Sequence, residues 1–584
     1  MLRIFKNFRL KEWLLTILVF IFIFCGVWLE LKMPDYMQEI TILVQTNGSK
    51  MSDILKNGGY MLLCAFGSLA FTIIVGYIVA YISSISSYRI RKQLFEHTEK
   101  FSLEEIKKFK TSSLITRTTN DVTQLEMLIG IGFQLLIRSP MTAVWAILKI
   151  LNKNAEWSIA TAGAVVILLT TIGILTVIVV PKFKIIQKLT DSVNGLIREN
   201  LTGIRVVRAF NAEKYQEDKF EETNDKLTKQ QLFNQKTFAI MQPVMFMVMN
   251  VLALLIYFIG ASLIKGATLP DKLTLFGDMI VFSSYAMQVI MSFLMLAIVF
   301  MLIPRAQVSA KRINEVLDTK ISIKSGNVKE GKEIGTVEFK NVSFKYPDAE
   351  ECILTNISFS ANKGETVAFI GSTGSGKSTL VNLIPRFYDV TDGEILVDGV
   401  NVKEYNLEDL YNKIGYISQK PVIFNGTISS NVNFGKSKNK ITKKDIEEAI
   451  KLAEAEEFVL KMDDKYEEHI ASSGSNISGG QKQRLSIARA LAKHSEIYIF
   501  DDSFSALDYK TDAKLRKNLK KYMSDSTILI VAQRIGTIMN ADKIIVLDEG
   551  KLVGMGTHKE LLKDCEVYKQ IATSQLSEEE LKNE

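Results

Sequence analysis

Thr366-Val-Ala-Phe-Ile370-Gly371-Ser372-Thr373-Gly374-Ser375-Gly376-Lys377-Ser378-Thr379-Leu380-Val-Asn-Leu-Ile384 is the stretch whose reading decides the soluble part of the fold. Thr366 to Ile370 is an apolar run of strand length, Leu380 to Ile384 opens an apolar helix, and the glycines stand between them. A strand that turns through G-x-x-x-x-G-K-[ST] into a helix forms a phosphate-binding loop. The glycines let backbone N–H groups turn inward around phosphate oxygens, Lys377 reaches the β- and γ-phosphates, and the Ser378 hydroxyl ligates Mg²⁺. The expected cofactors are therefore ATP and Mg²⁺, held by Gly371, Ser372, Thr373, Gly374, Ser375, Gly376, Lys377, Ser378 and Thr379.

Downstream, Ile497-Tyr-Ile-Phe500 is a second strand-like run and ends in Asp501-Asp502. A carboxylate at a strand end beside a phosphate loop can hold Mg²⁺ through water, the role expected of Asp501. Between the two runs lies Ile477-Ser478-Gly479-Gly480-Gln481, followed by Lys482-Gln-Arg-Leu-Ser-Ile-Ala-Arg-Ala-Leu491 with apolar residues at helical spacing. Ser478, two glycine N–H groups and a helix N-terminus make a second anion site. Paired aspartates alone, or a Ser-Gly-Gly helix cap alone, would be ordinary surface chemistry; their placement around the phosphate loop makes them candidates.

Upstream the chain changes character. Its 584 residues are too many for one globular core, and 47% hydrophobic against 23% charged residues excludes a disordered chain. Trp13 to Leu31 carries a single charged residue and is long enough to span hydrocarbon; bulky neighbours and Glu30 argue against a cleaved signal peptide. Further spans are expected near Gly58 to Ile85, Gly132 to Lys149, Ala160 to Val180, Phe238 to Leu263 and Leu273 to Ile303, six in all. Lys and Arg exceed Asp and Glu, 71 to 64, giving a net charge of +7. The excess clusters before span one (Arg3, Lys6, Arg9, Lys11), between spans two and three (Arg89, Arg91, Lys92, Lys107, Lys108, Lys110, Arg117) and between spans four and five (Lys182, Lys184, Lys188, Arg205, Arg208). By the positive-inside rule those segments and both termini are cytoplasmic, so the charge is a topology signal and no nucleic-acid partner is expected. The connections near Lys50, Asn152 to Glu156 and Lys265 to Lys272 are expected outside. The two inner connections are long, rich in helix formers and nearly free of Pro and Gly, so helices should continue well past the bilayer. Cys25, Cys64, Cys352 and Cys565 show no metal-site or disulfide spacing.

With these motifs in this order the chain resembles an ABC transporter over nearly its whole length, in the arrangement of an exporter half-transporter. The resemblance implies the fold class, α plus α/β: a six-helix transmembrane domain with long cytoplasmic helical extensions at 1–318, a linker at 319–335, a phosphate-loop α/β nucleotide-binding domain at 336–575, and an acidic tail at 576–584. Ser478 to Gln481 match the end of the family's LSGGQ signature, with Ile477 in place of Leu, and would face an ATP held by another subunit. Tyr346, in Val342-Ser-Phe-Lys-Tyr346, resembles the aromatic residue that stacks on adenine. Gln419, after Ile414-Gly-Tyr-Ile-Ser418, resembles the Q-loop glutamine at Mg²⁺, and Asp508 the D-loop aspartate at the dimer interface. Thr116 to Val122 and Gly203 to Phe210 resemble the intracellular loops whose tips dock on nucleotide domains.

Two positions depart from that pattern. Where active sites carry glutamate after the Mg²⁺ aspartate, this chain has Asp502, its carboxylate withdrawn by one methylene. Where the family has its switch histidine, past the strand-like Thr527 to Val531, the sequence reads Ala532-Gln533-Arg534. A general base works at hydrogen-bond contact, so the shorter side chain should slow hydrolysis. The pattern resembles the degenerate-site subunit of heterodimeric bacterial multidrug exporters, in which a second ABC half-transporter supplies the competent residues. It implies a multi-pass protein of the bacterial plasma membrane, in contact with lipid, that moves small amphipathic substrates. A lipid or peptide exporter, a nucleotide-gated regulatory membrane subunit and an inactive homodimer stay open. Gln242, Asn250 and Gln288, amides in apolar spans five and six, point to a cavity, and the methionines there suit adaptable binding.

Overall fold

The computed structural model describes residues 9–46, 48–151, 155–266, 268–435 and 440–576. The expected acidic tail beyond residue 576, Arg3 and Lys6, and residues 152–154 of an outer connection lie outside the described residues. The chain separates into two compact units, one of residues 1–99 with 112–318 and the other of residues 100–111 with 319–584.

Among the described residues, the first unit holds six helices long and apolar enough to cross a membrane: Leu10–Gln45, Met51–Thr98, Thr111–Leu151, Ala155–Thr202, Glu213–Gly266 and Asp271–Leu317. Met51–Thr98 has 48 residues and Glu213–Gly266 has 54, or roughly 70 to 80 Å at 1.5 Å per residue. Hydrocarbon accounts for about 30 Å of that, so each helix runs far past the bilayer, as the helix-rich inner connections anticipated. The helices interlock through packed apolar side chains and paired polar ones. Trp157 is fully buried, its indole N–H donates to the Ile256 carbonyl at 3.1 Å, and its ring tilts against Phe282 at 5.3 Å. Glycine at 260 permits this, since a Cβ there would meet the Met279 sulfur at 2.6 Å. Charged groups are paired in the same way. Arg89 donates to both oxygens of the buried Glu12, joining spans one and two. Lys149 and the Tyr285 hydroxyl both reach Asp35 at 2.6 Å, joining spans three and six to span one. Asp121 accepts from Ser309 at 2.9 Å and faces Arg312 at 3.3 Å.

Thr116 to Val122 belongs to the first unit, where Arg117 donates to the Arg312 carbonyl and meets Glu315, and Thr119 and Asn120 are exposed. The short helix Leu103–Phe109 belongs to the second unit. Its position follows from local chemistry. Ser102 and Glu105 form a reciprocal capping box, Phe101 stacks on Phe109, and Lys110 ends the helix at φ +61. Glu105 also accepts from the Ser322 N–H at 3.0 Å.

Among the described residues, the rest of the second unit is built on two larger sheets, with a two-stranded one pairing Gly426–Thr427 with His469–Ile470. The larger runs, in spatial order, Lys551–Gly556, Lys543–Asp548, Thr366–Gly371, Thr527–Val531, Ile497–Asp501 and Ile414–Ile417, with every neighbouring pair parallel except the first. Its inner strands read as continuous apolar runs because both faces are covered. The smaller, antiparallel sheet orders Leu354–Ala361, Val337–Phe344, Asp392–Val397 and Val400–Asn401. Residues 319–335 are hydrogen-bonded onto this unit: Gly326 N–H to the Tyr405 carbonyl, Val328 N–H to Glu404 and Lys332 N–H to Asp398.

Asp398 anchors that corner. It is fully buried, accepts from the Thr336 N–H at 2.9 Å and from Lys413 at 2.6 Å, and Lys413 also meets Glu496 at 2.8 Å. Burial opposes the Lys413 charge, yet its bonds to Asp398 and Glu496 outweigh burial and hold the ammonium above the usual lysine range. Removing one partner of a buried pair leaves the other uncompensated. Lys413→Met should therefore cost about 3 to 5 kcal/mol, read as lost hydrogen-exchange protection over residues 527–531 of the purified full-length chain. Glu496→Gln should cost under about 1 kcal/mol, because that carboxylate is partly solvated.

Candidate functional site

Four parallel strands end together. Thr366–Gly371 lies between Thr527–Val531 and Lys543–Asp548, and Ile497–Asp501 adjoins Thr527–Val531, so the segments leaving their carboxyl ends share one crevice, where α/β sheets place ligands. The phosphate loop runs from the first of these strands into the helix Lys377–Leu383. Gly371 has to be glycine: a Cβ there would sit 1.9 Å from the Leu547 carbonyl oxygen. Gly376 takes φ +92 at the helix N-cap, a conformation that side chains resist.

Within the loop Thr373 and Gly374 form the exposed crown, while Ser375 and Lys377 are buried. The Lys377 ammonium curls back to donate to the carbonyls of Gly371 (3.0 Å) and Ser372 (2.7 Å) and to the Ser375 hydroxyl at 3.4 Å. Burial holds it below the usual lysine range, against the pull of Asp502 and then Asp501. The Ser378 hydroxyl donates to Asp501 at 2.7 Å. Burial pushes the Asp501 carboxyl up; the Ser378 bond opposes this and the neighbouring Asp502 adds to it. A hydroxyl and a carboxylate in contact, at the start of a helix and beside a buried ammonium, are the hard oxygen donors that a Mg²⁺–triphosphate takes, and a divalent cation would relieve the mutual repulsion of Asp501 and Asp502. Ser378 and Asp501 fit that ion.

Asp502 stands just past the strand at φ +48, its N–H bonded to the Val531 carbonyl at 3.0 Å. Its carboxylate is buried, and a single oxygen, Oδ2, accepts from two amides: Gln533 at 2.8 Å and Gln419 at 3.2 Å. The structure thus joins three of the expected residues in one cluster. Gln419, expected at Mg²⁺, lies on Asp502.

Tyr346 is half-buried, and its hydroxyl shares a hydrogen bond with Thr379 of the phosphate-loop helix at 3.1 Å. Tyr388 packs edge-on to it at 5.3 Å, and the Lys107 ammonium lies 4.5 Å from the Tyr346 ring centre and 5.6 Å from that of Tyr388. Sequence reasoning missed Lys107, which looked like one more basic residue of an inner loop. It also missed Gln575, whose amide clasps the Gln533 carbonyl and the Ile535 N–H, each at 2.8 Å. Neither carries a motif that would have singled it out.

The remaining expected residues form a separate patch. Ser478 caps the helix Gly479–Leu491 in a reciprocal box with Gln481: Ser478 N–H donates to Gln481 at 2.8 Å and Gln481 N–H to the Ser478 hydroxyl at 3.3 Å. Ser478 and Gly479 are exposed, and no atom lies within 4 Å of a Cβ built at Gly479. Asp508 is exposed and caps Tyr509–Tyr522 through the Thr511 N–H at 2.9 Å, a bond that lowers its carboxyl below the usual range.

Comparison with known proteins agrees with this geometry. Residues 16–293 match the ABC transporter transmembrane region family and residues 354–505 the ABC transporter family. An uncharacterised ABC transporter ATP-binding protein of Mycobacterium tuberculosis is 38% identical over 523 residues, covering 88% of this chain and 87% of that protein. An ATP-dependent lipid A-core flippase of Pseudomonas savastanoi is 33% identical over 465 residues, 80% of this chain and 76% of the flippase. A Bacillus subtilis ATP-binding/permease protein named for multidrug export is 32% identical, with 85% of each chain covered. In fold, the chain superposes on an ATP-bound bacterial Atm1-family ABC exporter with a TM-score of 0.80 at 23% identity, over 97% of this chain and 98% of the other. Six apolar helices, a phosphate loop in its strand-to-helix setting and these matches lead to one conclusion: the chain is a multi-pass membrane protein of the ABC transporter family, a half-transporter carrying a transmembrane region and an ATP-binding domain on one polypeptide.

Proposed function

We propose that this chain is one half of a heterodimeric exporter of amphipathic drugs or lipid-like compounds, in the bacterial plasma membrane with both termini cytoplasmic, and that its own ATP site binds nucleotide but hydrolyses it poorly. The observation that carries the reading is the knot at Asp502. A water-activating base needs a free carboxylate oxygen within about 2.6 to 3.2 Å of the water. Here the side chain is short, and one of its two oxygens is engaged by Gln533 and Gln419, neutral amides that cannot accept a proton. Lys377, Ser378 and Asp501 keep the groups that hold MgATP, with Gln419 as a further Mg²⁺ contact once it leaves Asp502, and Tyr346 stacks on adenine. Ser478, Gly479, Gly480, Gln481 and Asp508 serve the ATP held by the partner half, which supplies its own glutamate and histidine.

Closure of the two nucleotide domains is passed to the spans through the intracellular loops. Val206, Phe210 and Tyr215, large apolar residues exposed at the tip around Ile204–Ala209, support docking there. A cleft of 250 Å³ in the nucleotide unit is lined by Phe387, Tyr411 and Phe434 together with Arg489 and Lys493. The names of the flippase and multidrug relatives support an amphipathic cargo. Among the three span amides, Asn250 is satisfied by the Phe246 carbonyl of its own helix at 2.8 Å, whereas Gln288 lines a cavity.

Purified alone, the chain should bind MgATP and turn it over at least about 10²-fold more slowly than a site with a working base, measured as steady-state ATPase; robust turnover by the isolated chain would defeat the degenerate-site reading. In the purified pair, Gly480→Asp sets a carboxylate against the partner's γ-phosphate and should abolish turnover, whereas Lys377→Ala should weaken nucleotide binding here and leave partner-site turnover. Equal losses, or a larger loss from Lys377→Ala, would contradict the assignment. Asp502→Glu with Gln533→His should raise hydrolysis at this site. In cells carrying both halves, fluorescent amphiphiles should be extruded, and Gln288→Ala should change their ranking without abolishing ATP turnover; identical accumulation with and without the pair would count against export.

A further inference from the structure

Charged side chains are rare in spans because hydrocarbon does not solvate them, and those present mark pathways or partners. Among the described residues, Glu30 of span one and Arg138 of span three form such a pair at 2.7 Å, with about a third of each side chain exposed. Both line a cavity of 230 Å³ together with Ser139, Thr142, Gln288 and Met291. The Gln288 side-chain oxygen is buried there without a hydrogen-bond partner. An orphaned acceptor in a low-dielectric setting costs free energy until a donor reaches it.

The cavity therefore has a definite electrical character. It holds one anion and one cation that neutralise each other, plus an acceptor awaiting a donor, beside the thioether of Met291. A lone cation drawn to Glu30 would strip Arg138 of its counter-charge, and a lone anion drawn to Arg138 would strip Glu30. Either exchange leaves an uncompensated charge in the span region. A ligand carrying both charges avoids this. Its ammonium meets Glu30 and donates to the Gln288 oxygen, while its anionic group takes the guanidinium fork of Arg138. One internal pair is exchanged for two intermolecular ones, and the net charge of the cavity stays at zero.

We propose that this cavity, among spans one, three and six, is a binding site for zwitterionic amphiphiles that carry an ammonium and a phosphate or carboxylate on one headgroup. The assignment rests on the exporter reading for its physiological role, and it names the class of cargo.

The test uses the purified full-length exporter, incubated without nucleotide in an equimolar mixture of phosphatidylethanolamine, phosphatidylglycerol and dodecyltrimethylammonium, with retained molecules counted by native mass spectrometry. The wild type should retain phosphatidylethanolamine over either competitor by about tenfold. Glu30→Gln should shift retention toward phosphatidylglycerol and Arg138→Gln toward the ammonium amphiphile. The reversed pair, Glu30→Arg with Arg138→Glu, preserves the internal ion pair and should restore the preference even if a single variant is unstable. Gln288→Leu should weaken phosphatidylethanolamine retention without favouring either charged competitor. Displacement by glycerophosphoethanolamine or a dipeptide would identify a soluble zwitterion as the cargo, and resistance to both a lipid. Equal retention of all three amphiphiles by the wild type, or one profile shared by every variant, would overturn the proposal. Because retention is read without ATP, an intact preference in a protein that fails to transport would count against the exporter reading and leave this site standing.

Discussion

The register across three strands, in which Val531 stands opposite Phe369 on one side and Asp501 on the other, is the constraint on which the nucleotide site depends. It sets the phosphate loop, the aspartate pair and Gln533 at one edge of the sheet. A slip by one residue would turn every side chain to the opposite face. The packing on both sides forbids that slip: Leu529 and Ile499 are fully buried on one face, while Phe500 is fully buried on the other. Apolar patterning far from any phosphate thus fixes the placement of the polar groups to within the tolerance of a hydrogen bond.

Much of this was legible in the residues. The strand-to-helix setting of Gly371 to Thr379 gave the loop, and the apolar run before Asp501 gave the carboxylate beside it, because both signals are local. The knot at Asp502 was not legible. Its members are separated by 83 residues on one side and 31 on the other, and they meet only because Asp502 adopts a left-handed backbone conformation that propensity does not announce. The helix Leu103–Phe109 escaped notice for the opposite reason. Its capping box is a strong local signal, but the pattern of an inner loop does not say which of several short helices reaches the nucleotide unit. Lys107, a plain basic residue in the sequence, acquires its place over Tyr346 only through that docking.

The two halves of the chain handle buried charge by different means. In the nucleotide unit, Asp398 and Lys413 are locked into a fixed structural corner. In the membrane unit the Glu12–Arg89 and Asp35–Lys149 pairs fasten helix to helix, whereas Glu30 and Arg138 line a cavity. The same chemistry acts as mortar at three positions and as a contact surface at the fourth. The difference lies in whether the remaining hydrogen-bonding capacity around the pair is already used.

Lys377 has a consequence for how the loop would receive an anion. Its ammonium is held by three of the loop's own oxygens, which tie the glycine-rich turn to the start of its helix. A phosphate that reaches Lys377 would replace those contacts, oxygen for oxygen. Such an exchange carries little conformational entropy.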